Sequence, residues 1–133
     1  MSVELLCLGG AAILVILLRI AWMVDKVRVR GLAKVTGYPS ESEPLSPWGH
    51  RAWIAHEDAI QNLVVFGALV LVLHLAGETN AVIRGAAVLY FWARVLHALV
   101  YLLAIPRVKT VAFLAAFAAQ LLLAGCLVTA AFF

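Results

Sequence analysis

Charge is scarce in this sequence. Of its 133 residues, 13% are charged and 65% are hydrophobic, and the mean hydropathy is +1.05. A soluble domain of this length carries roughly twice that charged fraction. The composition therefore excludes a soluble globular protein and indicates an integral membrane protein.

Several signatures of catalysis are missing as well. The two cysteines and four histidines show no metal-ligand spacing, and the chain has neither a glycine-rich phosphate loop nor a serine nucleophile with a matching base. The net charge of +3 does not come with a basic stripe interleaved with aromatic residues. We expect neither a bound metal nor a nucleic-acid partner.

What the chain has instead is long hydrophobic runs. Each of four runs can span a hydrocarbon core, which is about 30 Å thick and takes about 20 helical residues. They cover about residues 3–24, 55–76, 81–104 and 110–132. The sequence thus predicts a single transmembrane domain over residues 1–133, an all-α bundle of four membrane helices.

The one long connection, at about residues 25–50, is predicted to continue the first helix over residues 25–30 into the headgroup region and to form a loop over residues 38–47. Pro39, Pro44 and Pro47 fall in it together with several serines. Prolines at that density do not sustain a helix. The second membrane helix is therefore expected to begin near Trp48.

Lysine and arginine lie mostly on one side of the predicted bundle. Seven of them fall in the first and third connections, whereas the opposite side has Arg84. The positive-inside rule then predicts that residues 25–54 and 105–109 are cytoplasmic and that both termini are not. Cys7 and Cys126 would lie near the non-cytoplasmic surface, where the geometry would allow a disulfide, although membrane cysteines more often serve as packing residues.

Arg94 is the most informative residue, because it falls near the middle of the third run. An arginine at that depth costs about 2.5–3.5 kcal/mol to insert, so it should face a protein interior or a wet cavity. His97 and Tyr101 follow three and seven residues later, on the same helical face. A polar stripe on a membrane helix predicts a site.

A second polar stripe opens the second membrane helix. Its members share one side of that helix and are Arg51, Asp58, Gln61 and Asn62. His56 and Glu57 are predicted to point elsewhere, toward water. At about 1.5 Å of rise per residue, the two stripes lie at matching depths. Arg94 is then expected to meet Gln61 or Asn62, and His97 to meet Asp58 or Gln61.

These polar groups have two explanations. They can wall a ligand-binding cavity that opens to the cytoplasm, or they can form an interhelical network that holds the bundle together at about 0.6 kcal/mol per pair. At the start of the fourth helix, Lys109 and Thr110 offer a cation and a hydroxyl to an anion such as a carboxylate or thiolate. Membrane topology alone also explains Lys109.

Three segments of the chain together carry a resemblance to a known protein family: residues 51–66, 91–101 and 105–113. The pattern Ala93-Arg94-x-x-His97-x-x-x-Tyr101 is the most specific part of them. They resemble the MAPEG family, the membrane-associated proteins in eicosanoid and glutathione metabolism, and its small bacterial members in particular. The resemblance implies a homotrimer in a bacterial inner membrane, with glutathione or another small thiol bound between neighbouring subunits.

The resemblance also implies an activity and a set of site residues. The activity would be glutathione S-transferase or peroxidase-like, acting on a lipophilic molecule that enters from the bilayer. By position, the catalytic roles would fall on Tyr101, Lys109 and Thr110. The thiol-binding roles would fall on Arg51, Asp58, Gln61, Asn62, Arg94 and His97.

Three departures from the family pattern keep a second function open. The family's Asn-x-x-Glu-Asn reads Asp58-Ala59-Ile60-Gln61-Asn62 here, and Lys109 stands where an arginine is usual. Phe113 lies where some members carry a tyrosine. A lysine lacks the fork with which arginine holds a carboxylate. The alternative function is a non-catalytic membrane scaffold, or an accessory subunit of a larger membrane complex.

Overall fold

The computed structural model describes residues 1–37 and 44–133, which contain five helices and no strand. The helices are α1 (Val3–Arg30), α2 (Leu32–Thr36), α3 (Pro47–Leu75), α4 (Ala81–Leu102) and α5 (Val108–Phe132). All except the short α2 are long and apolar enough to cross a membrane. The predicted fold class, an all-α protein with four membrane helices, is confirmed.

The predicted extension of the first helix through residues 25–30 and the predicted start of the second membrane helix near Trp48 are confirmed, whereas the short α2 was not predicted. α1 continues to Arg30, and α3 already begins at Pro47. Hydropathy marks the length of helix inside the hydrocarbon rather than the ends of the helix, and proline is tolerated in the first turn. Gly31, with a φ of 82°, separates α1 from α2. Residues 38–43 of the predicted loop lie outside the described residues.

Side-chain caps set the starts of three helices. Ser2, Ser46 and Asn80 each accept a hydrogen bond from the backbone amide three residues on, at 3.3, 3.0 and 2.9 Å. Such caps contribute about 1 kcal/mol each. α5 begins differently, because its first flanking residue, Arg107, has a φ of 70° and makes no side-chain cap.

α3 and α4 form the centre of the bundle, and both α1 and α5 pack against them. No Cα atom of α1 comes within 8 Å of a Cα atom of α5. A disulfide needs Cα atoms no more than about 7 Å apart. Cys7 on α1 and Cys126 on α5 are therefore free thiols, and the disulfide that the sequence left open does not form.

The core combines one aromatic stack with small residues. The rings of Phe66 and Tyr90 stack at 3.8 Å between centroids with an angle of 11° between their planes, and both side chains are fully buried. Around them, α4 and α5 bury alanines such as Ala86 and Ala119. Small residues let membrane helices approach closely, which is how they gain packing contacts in lipid.

Most of the charge lies at one end of the bundle, where α1 ends and α3 and α5 begin; we call it the basic end. There Asp25, on α1, is buried and accepts hydrogen bonds from Ser46 at the start of α3. An anion at a helix N-terminus is favourable, since the backbone amides there carry partial positive charge. This contact fixes α3 against α1 at the level of the polar residues described next.

Candidate functional site

A cavity of about 250 Å³ opens at the basic end where α3, α4 and α5 meet. Arg51, Tyr101, Arg107 and Lys109 are among the residues that line it. Three of these, Arg51, Tyr101 and Lys109, are site residues that the sequence singled out. Three cations around one small space repel one another and attract an anion.

Arg51 also ties α3 to the end of α4. Its Nη2 donates a hydrogen bond of 3.4 Å to the carbonyl oxygen of Leu102, in the last turn of α4. The carbonyls of a last turn lack partners within their own helix. Arg51 Nε is buried and has no hydrogen-bond partner within residues 1–37 and 44–133, so the guanidinium retains a donor for a ligand.

Arg107 lines the cavity because of an unusual turn. Ala104 and Arg107 have positive φ angles of 56° and 70°, which are uncommon for residues with a Cβ. Backbone strain of this kind tends to persist at functional sites. The sequence analysis used Arg107 only to assign the membrane topology. The short turn after Pro106 is the signal that it missed, because such a turn keeps Arg107 close to the ends of α4 and α5, where the cavity lies.

Tyr101 connects the cavity with deeper polar residues. The Nζ atom of Lys109 lies 5.3 Å from the centre of the Tyr101 ring, a distance at which the ring face attracts a cation. On the inner side, the imidazole of His97 lies 5.1 Å from the same ring. The three side chains therefore form a continuous line from the surface into the bundle.

Asp58 and His97 come together across the α3–α4 interface, as the sequence predicted. His97 Nε2 lies 4.0 Å from Asp58 Oδ2, which is too long for a hydrogen bond. The Asp58 side chain is 42% exposed, whereas that of His97 is 4% exposed. His97 Nδ1 is buried without a hydrogen-bond partner in the described part of the chain.

Arg94 lies one helical turn deeper than His97 and is 2% exposed. Its Nε and Nη1 atoms are buried and have no hydrogen-bond partner among the residues the structure describes. Removing a charge from water without a partner costs several kcal/mol. Within the described residues, two donors of the guanidinium are therefore left without an acceptor.

The predicted contact of Arg94 with Gln61 or Asn62 does not form. The Asn62 amide donates to the Asp58 backbone carbonyl at 2.8 Å, and its Oδ1 accepts a hydrogen bond of 3.3 Å from Gln120 on α5. Gln61 is exposed on the surface of α3. The reason is rotation, since α3 turns Asn62 toward α5. Gln120 is therefore an interhelical partner of Asn62.

His56 also differs from its predicted exposure to water. It is 3% exposed, and its Nε2 accepts a hydrogen bond of 3.3 Å from Arg19 Nε on α1. Its other ring nitrogen, Nδ1, lies 3.4 Å from Glu57 Oε1. α1 covers this side of α3, and helical periodicity within α3 cannot reveal that.

Thr110 is the one predicted catalytic residue that lies apart from the cavity. It is exposed and is not among the residues that line the space around Tyr101.

Within the described ranges, no group of three or more His, Cys, Asp or Glu side chains is arranged to hold a metal ion. The charge available at the cavity comes from the cations Arg51, Arg107 and Lys109, which attract an anion.

Four apolar helices, with Arg94 and His97 buried among them and further cations at the basic end, define a membrane protein with a polar cluster inside its bundle. The sequence model of the MAPEG family matches residues 7–129. The chain belongs to the MAPEG family, as its sequence motifs indicated. No curated protein and no solved structure matches the chain.

Proposed function

We propose that the basic end of this protein binds a small anionic thiol, glutathione or a related compound. The protein would use the thiol to modify or reduce a lipophilic molecule that arrives from the bilayer. The observation that carries the proposal is Arg94, a residue 2% exposed whose Nε and Nη1 atoms have no hydrogen-bond partner among residues 1–37 and 44–133. A carboxylate of the thiol compound would supply the hydrogen bonds that these atoms lack.

The charges along the site support an anionic ligand of some length. Arg51, Arg107 and Lys109 surround the cavity at the surface, and Arg94 lies deeper on α4, two helical turns from Tyr101. Two cationic regions separated along a helix suit a compound with two acidic groups. Arg51 and Arg94 would hold those groups, and His97 would orient the compound between them.

The chemistry that the thiol supplies is a sulfur nucleophile or a pair of reducing electrons. The chain's own residues would keep the sulfur ionised and hold it in position at the cavity. Lys109 and Arg107 carry positive charge at the cavity, and nearby cations favour a thiolate over a thiol. Tyr101 also lines the cavity, and its hydroxyl can donate a hydrogen bond to the sulfur.

We further propose that the chain forms a homotrimer in a bacterial inner membrane, with its basic end in the cytoplasm. Gln61 supports an oligomer, because it is an exposed amide on a helix that can span the membrane. A second copy packed on this face of α3 would shield that amide from lipid, where unsatisfied polar groups are costly. The location of the basic residues supports the orientation.

Titration calorimetry of glutathione with the detergent-solubilised protein tests the proposal. The wild type is expected to bind, and Arg94→Ala is expected to weaken binding by about tenfold or more, since a hydrogen bond to a charged group contributes about 1.5–3 kcal/mol. Arg84→Ala is the matched control, because Arg84 lies on the same helix at the opposite end. It is expected to bind as the wild type does.

Two outcomes would overturn the proposal. One is no binding by the wild type at millimolar glutathione. The other is equal binding by the wild type and the Arg94 variant, which would show that the buried guanidinium serves the bundle alone.

A second function, a non-catalytic scaffold or an accessory subunit of a larger membrane complex, is favoured by the position of Thr110. This hydroxyl lies outside the cavity, so it does not reach a thiolate bound there. Lys109 lies at the face of the Tyr101 ring, so its ammonium group already has a partner within the chain. Copurification distinguishes the functions. A stoichiometric membrane partner without thiol affinity supports the scaffold, and a stand-alone oligomer that binds glutathione excludes it.

A further inference from the structure

A second groove lies at the basic end, between α1 and α3, and shares no lining residue with the cavity around Tyr101. It has a volume of about 370 Å³, and its walls include Trp22 and Lys26 from α1 and His50 and Trp53 from α3. We call it the α1–α3 groove. The proposed thiol site uses none of these residues.

A cation–aromatic contact and an aromatic stack line the α1–α3 groove. Lys26 Nζ lies 5.7 Å from the centre of the Trp22 ring, and the rings of His50 and Trp53 stack at 6.1 Å. Such contacts hold the walls in place and keep the ammonium group of Lys26 beside the opening.

One turn deeper, the same assembly continues to an exposed arginine. The ring of Trp22 lies 5.8 Å from that of His56, and His56 accepts the hydrogen bond of 3.3 Å from Arg19 Nε. Arg19 itself is exposed on α1. His56 thereby engages Nε of the Arg19 guanidinium, which leaves its other nitrogens for a ligand.

The level of these groups in the membrane identifies their partner. Tryptophan is enriched where the hydrocarbon meets the lipid headgroups, so Trp22 and Trp53 mark that boundary. Arg19 lies about 4.5 Å further in, at three residues of helical rise. A cation exposed at this depth is stable when it reaches an anionic group at the interface.

We propose that the α1–α3 groove binds the phosphate of an anionic phospholipid. Lys26 at the opening and Arg19 below it would hold the phosphate oxygens, and the tryptophans would flank the glycerol region. Trp22 Nε1 is buried without a hydrogen-bond partner in residues 1–37 and 44–133, so it offers one more donor. Arg30 also lines the groove, but it has an interaction of its own.

Charge and membrane depth together favour a lipid over other occupants. Among the described carboxylates at this end of α1 and α3, Glu57 lies beside His56 and Asp25 accepts hydrogen bonds from Ser46, so each has a partner of its own. A soluble phosphate would gain nothing from the tryptophans. A lipid already resident in the bilayer presents its phosphate at the required level.

Native mass spectrometry of the purified protein tests the inference. The protein is mixed with equal amounts of phosphatidylglycerol and phosphatidylcholine, and the molecules of each lipid that remain bound are counted. The wild type is expected to retain phosphatidylglycerol preferentially. Lys26→Gln is expected to lower that preference about fivefold, the effect of one basic residue near a membrane surface, and Arg19→Gln by a similar factor. Lys26→Arg is expected to keep it.

Arg28→Gln is the matched control, because it removes the same charge from α1 two residues away and lines other cavities. The inference is wrong if Arg28→Gln lowers the preference as much as Lys26→Gln does. It is also wrong if inorganic phosphate displaces the lipid at millimolar concentration, or if cysteines placed at position 50 cross-link two copies across the groove. Thermal unfolding in phosphatidylcholine micelles confirms that each variant is folded before lipids are compared.

Discussion

The carboxylate of Asp25 is joined to Ser46 by two hydrogen bonds, one from the backbone amide at 3.1 Å and one from the hydroxyl at 2.6 Å. Ser46 in turn caps α3. Because Arg51 lies little more than one turn further along α3, this joint between α1 and α3 determines where Arg51 reaches the cavity at the basic end.

Gly49 is expected to tolerate no side chain. A Cβ at this position would collide with the Asp25 carboxylate, so Gly49→Ala should displace Asp25 from Ser46 and lower the free energy of unfolding by about 1–3 kcal/mol. Thermal unfolding in detergent measures the change. Gly85→Ala is the control, since nothing lies within 4 Å of a Cβ there. Unchanged stability of Gly49→Ala would contradict the joint.

The stacked pair Phe66 and Tyr90 is expected to be the main aromatic contribution to the core. Tyr90→Ala should lower the free energy of unfolding by about 3–5 kcal/mol, because it removes a fully buried ring. Tyr90→Phe keeps the stack and should lose far less. Chemical denaturation in mixed micelles compares the two variants. Equal losses would show that the hydroxyl, rather than the stacked ring, is what the core requires.

Lys109 is expected to attract the ligand without being essential for its binding. Lys109→Gln should weaken glutathione binding by about twofold to fivefold at low salt, since exposed charges contribute up to about 1 kcal/mol. The difference should shrink as the ionic strength rises, because salt screens charges beyond a Debye length of about 8 Å at 0.15 M. Titrations at two salt concentrations measure this. A loss that does not depend on salt would contradict an electrostatic role.

The number, order and apolar character of the membrane helices could be predicted, because hydropathy over about 20 residues belongs to the chain alone. The extension of α1 to Arg30 and the start of α3 near Trp48 were also predicted, from the charged stretch after Trp22 and from the prolines, whereas the short α2 was not. Arg30 and Pro47 lie beyond the apolar runs, where helix formation depends on caps such as Ser46 and on contacts such as that with Asp25.

The face shared by Arg94, His97 and Tyr101 could also be predicted, because helical periodicity is local. Contacts between helices were harder to predict, since they depend on how each helix is rotated in the bundle. Asp58 does approach His97, but Asn62 turns to Gln120 instead of Arg94. His56 is covered by α1 and meets Arg19. Spacing along the sequence predicts which residues share a face of one helix. It does not predict which residues of another helix that face contacts.

A structure determined with glutathione present tests the central claim most directly. The account predicts an acidic group of the ligand at roughly 2.7–3.2 Å from Arg94 Nε or Nη1, the usual range for such hydrogen bonds, with the rest of the compound extending past His97 toward Tyr101 and Arg51. A map at saturating glutathione in which Arg94 keeps its unpartnered nitrogens, and the ligand lies elsewhere or is absent, would contradict it.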